Sequence, residues 1–238
     1  MTTTPPRPVF VYSMSARGTA FKNFFEAGEL KRIIENPGQL RPSGWDLITR
    51  DRARIVKGQY FEVSSAERKR IRVYQDGSVI VRVYGDEDFL SWGQNKNNFQ
   101  QSPRVNTIAL IEFTLNFCRF CAQLIPFLEP KPQQVNLKVD IRHAIIGEQK
   151  LFLIPYEVSS WAFTMTDGRQ YAPEELMVRT ITTDADALHL TPGYAAYKLV
   201  RQIFYWFGVE NEQVPYTSQA STGERYVDED LIIHSRPS

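Results

Sequence analysis

The chain has 238 residues, with 28 Lys+Arg against 27 Asp+Glu and a formal net charge of +1. That length suits one large domain or two small ones with a sizeable core. The even charge excludes global electrostatic attraction to nucleic acid or membrane, so any such binding must rest on a local patch.

In chain order, residues 1–8 (MTTTPPRP) read as a disordered tail, with neither the basic start nor the apolar run of a secretory signal. PVFVYSM reads as a strand. FFEAGELKRIIENPG reads as a short helix with Leu30, Ile33 and Ile34 on one face and Pro37-Gly38 as its stop. RPSGWDL is a turn with one large anchor, Trp45. Residues 51–84 form a run of short strands with turn signals at VKGQ, VSSAER and QDGS. An acidic, polar loop follows Gly85.

A long helix is predicted from about Val105 to Leu128. Its polar residues Glu112, Asn116, Arg119 and Gln123 draw one narrow stripe on an otherwise apolar surface, the pattern of a buried helix. Those polar residues also speak against a bilayer span. VNLKVDIRH alternates, with Val135, Leu137, Val139 and Ile141 on one face and Asn136, Lys138, Asp140 and Arg142 on the other. KLFLIPY is its expected partner across the GEQ turn, and LMVRTIT is a further strand. TPGYAAYKLVRQIFYWFGV is a helix with Thr191 as N-cap, Pro192 in the first turn and Gly208 at the stop. From Glu210 the chain reads as a polar surface extension or tail.

The expected fold is therefore α+β: antiparallel β-meanders packed against one long buried helix and a second, C-terminal helix. The expected organisation is a tail at 1–8, a single domain at 9–209, possible halves at 9–130 and 131–209, and an extension at 210–238.

RIRVYQDGSVIVRVYG (70–85) is a hairpin whose register decides where its arginines point. A two-residue Asp-Gly turn would mix arginines and valines on one face. A three-residue loop, Gln75-Asp76-Gly77 with Gly77 left-handed, pairs Val73 with Val79 and Ile71 with Val81 and separates the faces. It also sets Arg70 opposite Arg82, an unfavourable like-charge pair. Matching apolar faces in the preceding strand puts Phe61 beside Ile71, Val63 beside Lys69 and Glu62 opposite Arg70, with Arg54 near Glu62. One sheet face then collects Arg52, Arg54, Arg70, Arg72 and Arg82, with Tyr60, Tyr74 and Tyr84 among them, against Glu62 alone. Arginine interleaved with aromatics on a sheet suits phosphates or single strands. Solvation, or pairing with other acids such as the DED at 86–88, explains the same pattern without a ligand.

Other constellations carry less chemistry. Cys118 and Cys121 are one helical turn apart, but no second ligand pair exists for zinc, and the middle of a buried helix is no redox site. With two cysteines a disulfide scaffold is excluded and a reducing, cytoplasmic setting is expected. His143, His189 and His234 fall in no metal spacing. Asp140 with Glu148 and Lys150 loosely imitates a nuclease arrangement, although Glu148 falls in a turn. Asp184 and Asp186 read as turn and helix-approach residues.

RPSGWDL, RIRVYQDGSVIVRVYGDEDFLSWG, NTIALIEFTLNFCRFCAQL and AAYKLVRQIFYWFGV…VPY, in this order, resemble the C-terminal part of certain bacterial proteins. Those proteins carry an N-terminal AlbA-like (Schlafen-like) domain to which DNA binding is ascribed. The resemblance spans about Val9 to Tyr216 and does not include that domain. It implies an appended regulatory, sensing or assembly module of a bacterial cytoplasm and transfers a DNA-binding role to no residue here.

The sequence thus predicts a non-catalytic binding or assembly module, associated with nucleic acid or a DNA-bound protein through Arg52, Arg54, Arg70, Arg72, Arg82, Tyr74 and Tyr84. It predicts no cofactor, no metal and no membrane partner, and leaves room for a homo-oligomer. The alternatives are a metal-dependent nuclease or hydrolase near Asp140, and a structural subunit that uses the aromatic IFYWFG helix end.

Overall fold

A computed structural model of the protein describes residues 7–42, 44–48, 52–65, 68–85, 90, 103–153, 170–209 and 214–235. Seven strands form one antiparallel sheet: β1 (Val9–Ser15), β2 (Arg54–Val56), β3 (Tyr60–Ser65), β4 (Lys69–Tyr74), β5 (Val79–Tyr84), β6 (Gln134–Arg142) and β7 (Met177–Asp184). Their order is β7-β6-β1-β5-β4-β3-β2. The period-two alternation of each strand explains the sheet's two faces. Phe10, Tyr12 and Met14, Phe61 and Val63, Ile71 and Val73, Val79 to Val83 in alternation, and Val135 to Ile141 in alternation all turn to one side and are buried there. β1 lies between β5 and β6, so it joins the strands of residues 54–84 to those of residues 134–184 in a single sheet.

The apolar side is covered by α2 (Thr107–Leu124), the long helix the sequence predicts. Asn106 caps it by accepting a hydrogen bond from the Ile108 amide at 3.1 Å. The Tyr12 ring packs 5.4 Å from Phe113 and 5.3 Å from Phe117, and the Tyr12 and Thr114 hydroxyls bond at 2.9 Å. Such a bond is what makes a fully buried tyrosine tolerable. By length and composition Thr107–Phe127 could cross a bilayer; here its surface is taken up by the protein's own sheet and helices.

The polar stripe on α2 has its own cover. Residues 36–42 and 44–48, which follow α1 (Gly28–Glu35), lie over it. Arg41 grips the fully buried Glu112 carboxylate through Nε at 3.0 Å and Nη2 at 2.9 Å. Asn116 Nδ2 donates to the Trp45 carbonyl at 3.1 Å, and Arg119 pairs with Glu229 at 3.1 Å. Gly44 sits so close that a Cβ there would overlap the Glu112 carboxylate.

Beyond β7 come α3 (Ala185–Leu190), capped by Asp184 through the Ala187 amide at 2.9 Å, and α4 (Pro192–Trp206), which packs on α2. α4 ends as expected at Gly208, whose φ of +80° closes the last turn. Thr191 precedes α4, but its side chain accepts no hydrogen bond from the helix; its hydroxyl donates instead to the Ala187 carbonyl of α3 at 2.9 Å. Residues 214–235, read from composition as an extension or tail, carry a hairpin (Thr217–Gln219 with Arg225–Val227) and α5 (Glu229–Ile233). Val214, Val227 and Ile232 are buried, and Arg41 Nη1 reaches the Ile232 and Ser235 carbonyls at 3.4 and 3.3 Å.

One expected pairing is corrected. KLFLIPY does not pair with β6, whose neighbours are β1 and β7. Phe152–Leu153 pairs instead with Arg104–Val105 and Gln170–Tyr171. β1 is longer and apolar on its inner face, so it satisfies more of β6 than a short hairpin partner would. Of the tail expected at 1–8, residues 1–6 lie outside the described residues.

Candidate anion-binding face

The hairpin register is the expected one. Val73 pairs with Val79, Ile71 with Val81 and Arg70 with Arg82. Gly77 has φ +80°, and Tyr74 and Ser78 close the loop with a 2.8 Å hydrogen bond. The register of β3 is corrected by two residues: Phe61 pairs with Val73, Val63 with Ile71 and Glu62 with Arg72 rather than Arg70. A shift of two leaves every side chain on its expected face, so Arg54 still opposes Glu62. Lys69 shares the inner parity of Ile71 and Val73, and its ammonium meets the Asp46 carboxylate at 2.6 Å.

The registers of all seven strands fix the composition of the outer face. One row across it runs Val178, Asp140, Val11, Arg82, Arg70 and Ser64; the next runs Thr180, Lys138, Ser13, Ile80, Arg72, Glu62 and Arg54. Cations outnumber carboxylates, and each carboxylate serves two of them. Glu62 Oε2 lies 2.7 Å from Arg72 Nε and 3.8 Å from Arg70 Nε. Asp140 lies 3.1 Å from Lys138 Nζ and 3.2 Å from Arg142 Nη2. The Glu62 bond is the foremost reason the Arg72 guanidinium holds its proton more tightly than usual. Arg82 meets no carboxylate among the described residues: its Nη2 donates to the Tyr84 hydroxyl at 2.9 Å, and its guanidinium sits 5.0 Å from that ring's centre.

These groups frame a depression of about 240 Å³ lined by Val9, Val11, Arg70, Arg72, Ile80, Arg82, Arg142 and His143. Its floor is aliphatic and its walls are cationic. His143 is held at the end of β6 by a left-handed backbone (φ +56°), a conformation uncommon outside glycine, and lies 3.7 Å from the exposed Glu175.

Of the residues predicted from sequence, Arg70, Arg72 and Arg82 line the depression and Tyr84 packs on Arg82. Tyr74 is one row away, its ring 4.9 Å from Tyr60, and Tyr60 in turn lies 5.2 Å from the Arg72 guanidinium. Arg54 is exposed on edge strand β2, and Arg52 precedes that strand, so neither reaches the depression. Arg142, His143, Val9 and Val11 were missed. The alternation of VNLKVDIRH marks Arg142 as polar-facing, but only the position of β1 brings it beside Arg82.

The remaining constellations resolve simply. Cys118 and Cys121 are buried, and burial pushes both thiols up, away from thiolate chemistry. No group of three or more His, Cys, Asp and Glu able to hold a metal occurs among the described residues. Glu148 sits in an exposed turn between Ile145–Ile146 and Gln149–Lys150. In the IFYWFG end of α4, Ile203, Phe204, Trp206 and Phe207 are buried and Tyr205 is exposed. The acids at 86–88 lie outside the described residues. Compared with protein-family models, curated proteins and solved structures, the chain matches none.

Proposed function

We propose that the protein is a non-catalytic binding module whose outer sheet face takes anionic ligands, with single-stranded nucleic acid as the class that best fits it. The observation that carries this reading is the convergence of Arg70, Arg72, Arg82 and Arg142 on one depression, with Arg82 free of any carboxylate among the described residues. Guanidinium groups match phosphate oxygens in geometry as well as charge. Tyr60, Tyr74 and Tyr84 add π-faces on which unpaired bases can stack. A module that works beside a DNA-binding domain, as the bacterial resemblance implies, has use for such a face.

The test is the binding of single-stranded DNA, single-stranded RNA and duplex DNA, measured by fluorescence anisotropy across a salt series. Single strands are expected to bind best. Three or four neutralised phosphates give a log–log salt slope of about −2 to −3. Arg70→Ala and Arg82→Ala are expected to weaken binding. No binding at low salt would overturn the reading.

A further inference from the structure

We infer that the depression between β4, β5, β1 and the end of β6 is a pocket for a phosphate monoester, the terminal phosphate of a nucleic-acid strand or of a free mononucleotide. This deepens the proposed function and rests on it. Three observations lead there.

The first is the concentration of charge. A surface that tracks an internal phosphodiester chain spreads its cations along a groove. Here Arg70, Arg72, Arg82 and Arg142 converge on one concavity, with His143 at its rim. A monoester carries about −1.5 to −2 charges near neutral pH, with three strong acceptor oxygens, whereas each internal diester carries one charge. The converging cations suit the denser anion.

The second is size. About 240 Å³ falls below the ~300–1,000 Å³ of pockets that engulf drug-sized ligands. A phosphate head group fits, and the nucleoside attached to it must lie outside, across the sheet surface. Tyr84, in ring contact with Arg82, and the tilted pair Tyr60 and Tyr74 are there to receive it.

The third is the boundary. Asp140 on β6 ends the row of Arg82 and Arg70 on one side, and Glu62 on β3 bounds Arg72 on the other. A chain following either row across the sheet meets a carboxylate at one end, so the surface favours an end over a passing strand. The arginines keep donors for the ligand despite these pairs. Arg72 gives its Nε to Glu62, Arg142 one Nη2 to Asp140 and Arg82 one Nη2 to Tyr84, out of five N–H groups in each guanidinium.

The test uses the full chain and one oligonucleotide sequence with four ends: 5′-phosphate, 5′-hydroxyl, 3′-phosphate, and a 5′-phosphate capped as its methyl diester. The phosphorylated ends are expected to bind roughly ten- to a hundredfold more tightly than the hydroxyl or methyl-capped ends. That preference is expected to vanish in Arg82→Ala and to shrink in Arg82→Lys, which keeps the charge but loses the planar fork. Arg142→Ala, which leaves Asp140 paired with Lys138, serves as a second variant should the first be poorly folded. Where the preference holds, competition by a nucleoside 5′-monophosphate at similar concentration assigns the pocket to free mononucleotides. Lack of competition assigns it to strand ends. Equal affinity for all four ends overturns this inference and leaves the broader anion-binding face intact. No binding of any strand at low salt overturns both.

Discussion

Arg82 and Arg41 are two arginines with opposite settings, and their replacements should behave in opposite ways. Arg82 is exposed, so Arg82→Ala should leave unfolding in denaturant within about 0.5 kcal/mol of the native protein. Its effect belongs in the salt slope of binding, which should fall by roughly one unit. Glu62→Gln removes the carboxylate shared by Arg70 and Arg72 and should tighten anion binding; a weaker-binding variant would show that Glu62 orients the arginines rather than competes for them. Arg41→Ala leaves the Glu112 carboxylate buried without its cation and should cost about 3–5 kcal/mol in urea unfolding. Burial is the largest influence on Glu112 and holds its carboxyl above the usual range despite Arg41. The folded protein therefore binds more protons than the unfolded chain between the ordinary carboxylate pKa, about 4.3, and the raised value. Across that window Glu112 makes stability fall as pH rises. Glu112→Gln should remove that part of the slope, read from denaturant curves at several pH values; parallel profiles for the two proteins would refute it. The hairpin arginines were legible from sequence because valine alternation fixes their face. The Arg41–Glu112 pair was not, because nothing in RPSGWDL shows which buried acid it will meet.

Among the elements, the β4–β5 hairpin is the part the sequence specifies most fully. Its loop needs a left-handed residue at one position, and Gly77 supplies it with φ +80°. A Cβ at Gly77 would also stand 2.8 Å from Leu128 Cδ2 and 3.0 Å from Thr19 Oγ1. Gly77→Ala should therefore cost roughly 1–2 kcal/mol, which for a chain of this size lowers Tm by about 2–8 °C. An unchanged Tm would mean that the loop can adopt another turn. The β3 register slipped by two residues in the sequence reading because face matching cannot distinguish shifts by an even number. Turn length breaks that degeneracy, and here Arg68 closes a short turn by donating its amide to the Ser65 carbonyl at 3.0 Å. The partner of β6 was misread for a related reason. Proximity in sequence favoured KLFLIPY, whereas the pairing made is with β1, at the other end of the chain.

For the molecule as a whole, residues 214–235 close the structure over α2 and α4. Ile232 is fully buried, Val227 nearly so, and Arg41 reaches past Glu112 to the Ile232 and Ser235 carbonyls. Deleting everything from Val214 onward should cost several kcal/mol, since each buried aliphatic side chain contributes about 1.5–3 as an upper estimate. Loss of cooperative unfolding in the truncated chain is the expected result; an unchanged transition would mean that the segment only rests on the core. Composition hid this cover because its few apolar residues are scattered among charged ones, whereas the sheet and α2 announce themselves by strict periodicity. A last consequence concerns synthesis. β1 is an interior strand of the sheet, third from the β7 edge, yet leaves the ribosome before both of its neighbours. At roughly 5–20 residues per second, β5 begins to emerge about 3–13 s after β1 is complete, and β6 is finished only after about 6–25 s. Until β5 emerges the nascent chain holds VFVYSMS with neither partner strand available, and until β6 is finished one edge still lacks its partner, so the strand that unites the finished sheet is also one in need of protection during synthesis.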